Sequence, residues 1–256
     1  MNLLAGTART GTAGAGSADT TGMVADRVDF LAAGHYAPLA DLVAGLVVSA
    51  AGDGSVAQAD GDAAGDGLVV DAGAGTGYYL AAALDRLPGT VGLAMDLSAL
   101  ALRRAARAHE RIGAAVWDVW QQWPVADAVA DVLLNVFAPR NGAEFHRVLR
   151  PGGLLVVVTP TERHLAELGA AAGLLRVDRR KAERLANTLG ERFEQVDEQR
   201  LGYEMTLSAQ DVRRVVGMGP AGHHSRTDDR IDDRSDEPRV VTTSFVVSVF
   251  RAVGRP

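Results

Sequence analysis

Apolar runs and polar punctuation divide this chain into a helical lead, a polar connector and an alternating series of strands and helices. A helix is expected over residues 23–32. Gly34-His35-Tyr36 breaks it, and Pro38 suits the first turn of a second helix reaching about residue 49. Residues 50–67, AAGDGSVAQADGDAAGDG, have no apolar periodicity and read as a flexible Gly/Ala/Asp connector.

Beyond it, strand-sized apolar runs at 68–71, 91–95, 114–117, 128–135 and 154–159 alternate with helical stretches at 78–87, 98–107 and 142–149. Strands and helices at this spacing imply a parallel sheet covered on both faces. Pro151-Gly152-Gly153 separates the last of these helices from its strand. The final third reads as a helix over 163–174, a charged helix over 179–189, a strand over 193–207 and a short helix over 211–216. A charge-dense loop over 226–239 and a β-branched strand over 240–251 complete the chain. Residues 1–22 are expected to be mobile.

Composition narrows the class without naming it. The 256 residues suffice for one sizeable core, and 47% are hydrophobic although only 5% are aromatic. A net charge of −6 excludes a chain that is basic throughout, so any polyanion must meet a local patch. Two such clusters stand out, Arg176, Arg179, Arg180, Lys181 and Arg184, and Arg103, Arg104, Arg107 and Arg111. Both are expected to be ordinary solvated helix faces. There is no Cys, hence no disulfide and no cysteine-ligated metal, and no metal ligands are assigned. The N-terminus lacks the charged start and apolar block of a leader, and the longest apolar runs are too short to span a bilayer. A cytoplasmic protein without membrane association is expected.

The chemistry concentrates at residues 69–77, Val-Val-Asp-Ala-Gly-Ala-Gly-Thr-Gly. A strand runs into Asp71 and then into Gly73, Gly75 and Gly77, with Thr76 among them and a helix following. Such a turn brings backbone close to a ligand, and the helix start adds a partial positive field. The spacing G-x-G-x-G differs from the dinucleotide pattern G-x-G-x-x-G, and Asp71 suits an ammonium group better than a pyrophosphate. Both features point to S-adenosylmethionine. Asp96 ends the second strand, where a carboxylate accepts hydrogen bonds from both ribose hydroxyls; as a helix cap it has a second reading. Asp118 follows the third strand, placed to accept from the adenine amine. The residues after them, Leu97 and Val119, are counted with them as cofactor contacts.

Three further stretches carry a resemblance: Asn135-Val136-Phe137-Ala138-Pro139-Arg140, Phe145 to Gly153, and Thr159-Pro160 with Arg163-His164-Leu165. Together with Asn2-Leu3-Leu4, the segment 30–39 around Gly34-His35-Tyr36, the glycine turn with Tyr78-Tyr79, and Met218-Gly219-Pro220, they resemble the ribosomal RNA (guanine-N1) methyltransferases, nearest the tylosin- and mycinamicin-resistance branch. The likeness is weakest at 50–67 and 221–239. It implies a class I methyltransferase, a Rossmann-like α/β fold with a seven-stranded, mainly parallel sheet. The implied division is an N-terminal helical segment and cofactor-covering loop (1–50), a linker (51–67) and a methyltransferase domain (68–256).

The resemblance further implies S-adenosylmethionine as methyl donor, with Tyr36, Gly75, Thr76 and His164 as contacts, and 23S rRNA as acceptor in macrolide resistance. Tyr36 has a plainer reading as a pin for the N-terminal helices, and His164 as a partner of a backbone carbonyl. Family members also carry an N-terminal zinc ribbon, whereas this chain begins at the Asn-Leu-Leu that follows it. A small-molecule acceptor is therefore the alternative, and a non-catalytic cofactor-binding protein the third reading. Asn135 is the residue expected to hold the acceptor. Phe137 has two readings, stacking on a base or packing under its turn, of which the second is preferred, and Glu144 and His146 are expected to lie on a helix surface. No general base is identified, and the oligomeric state, a homodimer included, is left open.

Overall fold

The computed structural model describes residues 19–50, 67–172, 189–219 and 237–254. Outside them lie the stretch before residue 19, the connector at 51–66, the charged helix over 179–188, the charge-dense loop at 226–236 and the basic cluster at 176–184.

Helix α1 (Thr21–Ala32) begins at Thr20, whose side chain accepts from the Met23 N–H, and α2 (Ala37–Ala50) follows after a short turn. Then come β1 (Leu68–Ala72), α3 (Tyr78–Leu84), β2 (Val91–Asp96), α4 (Ala99–Ala108) and β3 (Ile112–Val116). Next are β4 (Ala130–Val136), α5 (Gly142–Val148) and β5 (Leu149–Pro160). The chain closes with β6 (Phe193–Leu207), α6 (Ala209–Gly217) and β7 (Arg239–Ala252). Ser98 and Ser208 cap α4 and α6 by accepting from the Ala101 and Asp211 N–H groups, satisfying donors that a helix start leaves free.

The seven strands form one sheet in the order β3-β2-β1-β4-β5-β7-β6. The first five are parallel, and β7 runs antiparallel between β5 and β6. Because side chains alternate along a strand, each central strand feeds two cores. Val69, Val132, Leu134, Val156 and Val158 pack with Leu39, Val43, Leu80 and Leu102 from α2, α3 and α4. Val70, Leu133, Leu155 and Val157 pack with Phe145 and Val148 of α5 and with Phe250. Helices α1 and α2 share the first of these cores through Phe30, Leu31, Leu39 and Val47. No single helix among the described residues is long and apolar enough to cross a membrane.

One element differs in kind from the sequence reading. The helix expected over 163–174 is a turn followed by a 3-10 segment, Ala166–Ala172, interrupted at Gly169 (φ 61°, ψ −160°). Its backbone is already engaged: Thr161 N–H donates to Ser244 O and Leu165 N–H to Thr242 O, tying the stretch along β7. Leu165 adopts a left-handed φ of 55°, which ends any α-helical run there. Smaller shifts occur at strand starts: β3 begins at Ile112, and β4 at Ala130, after Ala128 at φ 56°.

Candidate functional site

Helices α3 and α4 cover one face of the sheet and α5 the other, so the strand order reverses between β1 and β4. A crevice opens at such a reversal, beyond the carboxyl ends of the strands. Asp71 and the glycine turn leave β1 here, Asn135 and Phe137 end β4, and Asp96 ends β2.

The turn is fixed by its own backbone. The N–H groups of Gly73 and Ala74 both donate to Met95 O at 2.8 and 3.1 Å, and Gly77 N–H donates to Ala74 O at 2.9 Å. Gly73, Gly75 and Gly77 have φ of 82°, 52° and 78°. At Gly73 two demands coincide, because a Cβ there would lie 2.3 Å from the Ala138 Cβ. The backbone of the glycine turn therefore packs against the Ala138 methyl of the 137–139 turn. Thr76 is buried beneath the turn.

Asp71 is buried, with its Oδ1 lacking any partner. Burial pushes its carboxyl up to about 8, and the neighbouring Asp96 adds to the rise. Asp96 accepts from Gly75 N–H at 2.9 Å through Oδ2 and from Ser98 N–H at 2.8 Å through Oδ1. Burial also raises its pKa, against the pull of these two hydrogen bonds. Its cap reading and its ribose reading are compatible, since each carboxylate oxygen has a second acceptor site. Leu97 beside it is exposed. Asp118 turns the chain after β3 by accepting from Trp120 N–H at 3.0 Å, and the Val119 carbonyl accepts from Trp123 Nε1 and Asn141 Nδ2.

Tyr36 and His164 meet. The Tyr36 hydroxyl lies 3.1 Å from His164 Nε2, inside a ring cluster with Phe30, Phe137 and Phe245. Burial lowers the His164 pKa to about 4, so the ring is neutral at pH 7. Its Nδ1 accepts from Ser244 N–H at 3.4 Å, which assigns the proton to Nε2 and makes Tyr36 the acceptor. The hydroxyl proton of Tyr36 is thereby left for another partner.

Asn135 is fully buried. Its Nδ2 donates to Ala72 O at 3.2 Å and Pro139 O at 2.9 Å, bracing the turn after β4 against the end of β1, and its Oδ1 has no partner. The side chain thus acts on the backbone of the site. Phe137 departs from expectation: it is 43% exposed, with φ at 56°. Glu144 accepts from Trp123 N–H and pairs with Arg147, and His146 Nε2 bonds Val253 O. Both serve the structure around α5. Arg111, grouped above with a solvated basic face, instead caps carbonyls, donating to Leu84, Leu87 and Thr90 at 2.5–2.6 Å. Arg103, Arg104 and Arg107 remain exposed on α4.

Sequence reasoning missed three residues. Tyr79 is buried against Phe137 with its hydroxyl unpartnered, and Arg140 has a buried, unpartnered Nε. Arg27 of α1 reaches over the turn: a Cβ on Gly75 would lie 3.4 Å from its Nη1. It pairs with Asp19 and donates to Met218 O at 3.0 Å. Among the described residues, four of the six buried side-chain atoms without a partner belong to Asp71, Tyr79, Asn135 and Arg140. Such atoms are rare in folded proteins, and their gathering around β1 and β4 marks a place built for a polar ligand. The cationic, hydroxyl-rich S-adenosylmethionine fits this set, with a buried carboxylate for its charge and a glycine cradle for its chain. Among the described residues no cluster of three or more His, Asp or Glu suits a metal ion.

The chain is similar to several known proteins. Residues 69–153 match the family described as Methyltransferase domain. A protein of Micromonospora griseorubida, provisionally named a 23S rRNA (guanine-N1)-methyltransferase, is 49% identical over 243 residues, covering 92% of this chain and 81% of its own. The 23S rRNA (guanine(748)-N1)-methyltransferase of Streptomyces fradiae is 46% identical over 237 residues, with the same coverages. Among solved structures, a geranyl diphosphate C-methyltransferase from Streptomyces coelicolor A3(2) superposes with a TM-score of 0.47 at 16% identity, covering 75% of this chain and 72% of that one.

Proposed function

Because the chain belongs to the 23S rRNA (guanine-N1)-methyltransferase family, we propose that it methylates N1 of a guanine in 23S rRNA, with S-adenosylmethionine as donor. The observation that carries this reading is identity of 49% over 92% of the chain. S-adenosylmethionine supplies a methyl group already activated on a sulfonium. As the N1–C bond forms, the S–CH3 bond breaks to release S-adenosylhomocysteine and the N1 proton leaves to solvent, so the remaining work of the protein is placement in near-attack geometry.

In this reading Asp71 accepts from the ammonium of the methionine end, which explains a buried carboxyl whose Oδ1 has no partner. Asp96 receives the ribose hydroxyls on its second acceptor sites, while Asp118, Leu97 and Val119 hold the adenine. Gly73, Gly75, Thr76 and Gly77 line the path between, and Tyr36, oriented by His164, donates to the methionine carboxylate. Asn135 is a positioning residue: it sets the turn against which the acceptor rests. Guanine N1 sits within the pairing edge of its base, so the target base must be unpaired or turned out of its stack.

Primer extension on 23S rRNA after incubation with protein and S-adenosylmethionine tests the acceptor, because an N1-methylated guanine stops reverse transcriptase. A new stop at one guanine is the expected result. A protein that binds S-adenosylmethionine by calorimetry yet leaves every guanine readable has a different acceptor, and a small molecule then becomes the substrate class to screen.

A further inference from the structure

The turn that closes β4 carries two features left over after the cofactor is accommodated. Phe137 belongs to an aromatic cluster whose other members, Phe30, Tyr36, Tyr79 and Phe245, are buried, yet it stays 43% exposed. It also holds a φ of 56°, a conformation costly for a bulky L-residue and kept only where the surroundings impose it. The imposing groups are visible: Asn135 Nδ2 grips Pro139 O at 2.9 Å, and Ala138 abuts Gly73. The strain keeps an apolar ring in water at the edge of the crevice, which folding alone does not reward.

Three residues on, Arg140 is half-buried with its Nε unpartnered, and its pKa is lowered by burial with no carboxylate opposing the fall. Four other part-buried arginines pair with carboxylates, Arg27 with Asp19, Arg147 with Glu144 and Asp127, Arg150 with Asp131, and Arg214 with Asp29 and Asp211, while Arg111 caps three carbonyls. A desolvated guanidinium without a counter-ion is an unfavourable placement, and its geometry suits an anionic oxygen.

We propose that residues 137–140 form a clamp for the acceptor nucleotide, with the target base stacked on the Phe137 ring and the Arg140 guanidinium paired with a phosphate of the same strand. The clamp deepens the rRNA reading and rests on it. It offers the two contacts that single-stranded nucleic acid accepts irrespective of sequence, a π-face and a cation, and sets them on a turn locked to the cofactor's own glycines.

The test measures binding of the full chain to an in vitro transcript of 23S rRNA spanning the position equivalent to guanine 748 of the Streptomyces fradiae enzyme's target. Fluorescence anisotropy at several salt concentrations reads RNA affinity, and calorimetry reads S-adenosylmethionine affinity. Phe137→Ala is expected to weaken RNA binding about 10-fold, within the range for one lost base stack, and Phe137→Trp to retain it. Arg140→Ala is expected to weaken binding roughly 5-fold and reduce the slope of log K against log salt by about 0.7 to 0.9, one phosphate contact. S-adenosylmethionine affinity stays within about twofold in all three. The clamp is overturned if Phe137→Ala and Arg140→Ala bind RNA like the parent, or if cofactor affinity falls in step with RNA affinity. A parent protein that binds S-adenosylmethionine but not the transcript overturns the rRNA reading and the clamp with it.

Discussion

The Tyr36 hydroxyl lies 3.1 Å from His164 Nε2, although 128 residues separate them. The contact joins the turn between α1 and α2 to the segment after β5. Since His164 Nδ1 is occupied by Ser244 N–H, the ring donates to Tyr36 and leaves the phenol proton free. Tyr36→Phe removes that donor without changing the packing of the ring. It should weaken S-adenosylmethionine binding roughly 5- to 20-fold, as expected for one hydrogen bond to a charged group, and cost about 1 kcal/mol of stability because the His164 Nε2–H loses its acceptor. Calorimetry and thermal unfolding separate the two effects.

His164 also predicts a pH dependence of stability. Its folded pKa of about 4 lies below the unfolded value near 6.5. Between these values the unfolded chain binds the proton and the folded one does not, so stability falls as pH drops from about 6.5 to 4. Denaturant titrations across that window should show a smaller decline for His164→Gln. An identical pH slope in the variant would assign the decline to other groups.

Asp71 has the opposite sign. Its folded pKa of about 8 exceeds the unfolded value, so the folded state holds the extra proton, and stability without cofactor declines as pH rises from about 4 through 8. Asp71→Asn should remove this decline and be more stable than the parent at pH 8.5, while binding S-adenosylmethionine more weakly. A cationic ligand favours the ionised carboxylate, so binding by the parent should release a proton at pH 7. Calorimetry in buffers of different ionisation enthalpy reads that release directly, and a buffer-independent heat would contradict the pairing.

The contact between the two turns gives a steric test. Gly73→Ala places a methyl 2.3 Å from the Ala138 Cβ, at a φ of 82°. It should cost about 1–3 kcal/mol of stability and abolish methyl transfer by shifting the 137–139 turn. Adding Ala138→Gly relieves the clash but not the backbone strain, so stability should recover in part. Full recovery would mean that φ at position 73 is unimportant.

Asn135→Ala leaves the Ala72 and Pro139 carbonyls without their side-chain donor. A loss of roughly 1–3 kcal/mol is expected in denaturant unfolding, with methyl transfer reduced more than S-adenosylmethionine affinity. A variant that loses cofactor affinity alone would place Asn135 with the cofactor instead of the acceptor.

Much of this site was legible because its chemistry follows strand ends. Leu68 to Ala72 is apolar enough to be a buried strand, and the glycines that follow tolerate a turn no other residues would, so Asp71 and its neighbours could be located by counting. Asp96 and Asp118 followed from the same rule. What escaped the sequence depends on contacts between distant segments. Residues 163–174 have helical composition, but β7 takes the Leu165 N–H, and only the sheet order reveals this. Phe137 looked like a core residue because nothing local announces a left-handed φ. Arg27 lies in an ordinary amphipathic helix, and its place over Gly75 depends on how α1 packs against α6. Asn135 was found, but its bracing of the Ala72 and Pro139 carbonyls shows only once the two turns are placed together.

The position of β7 bears on how the protein comes to life on the ribosome. The last of the described strands lies between β5 and β6, and among the described residues β6 pairs with no other strand. It also brings Phe245 and Ser244, which pack against Tyr36 and fix the His164 tautomer. A nascent chain therefore exposes the glycine turn and both strand-end carboxylates well before the aromatic wall exists. The unpaired edges of β5 and β6 are its period of greatest aggregation risk, and competence to hold the methyl donor arrives in a single late step.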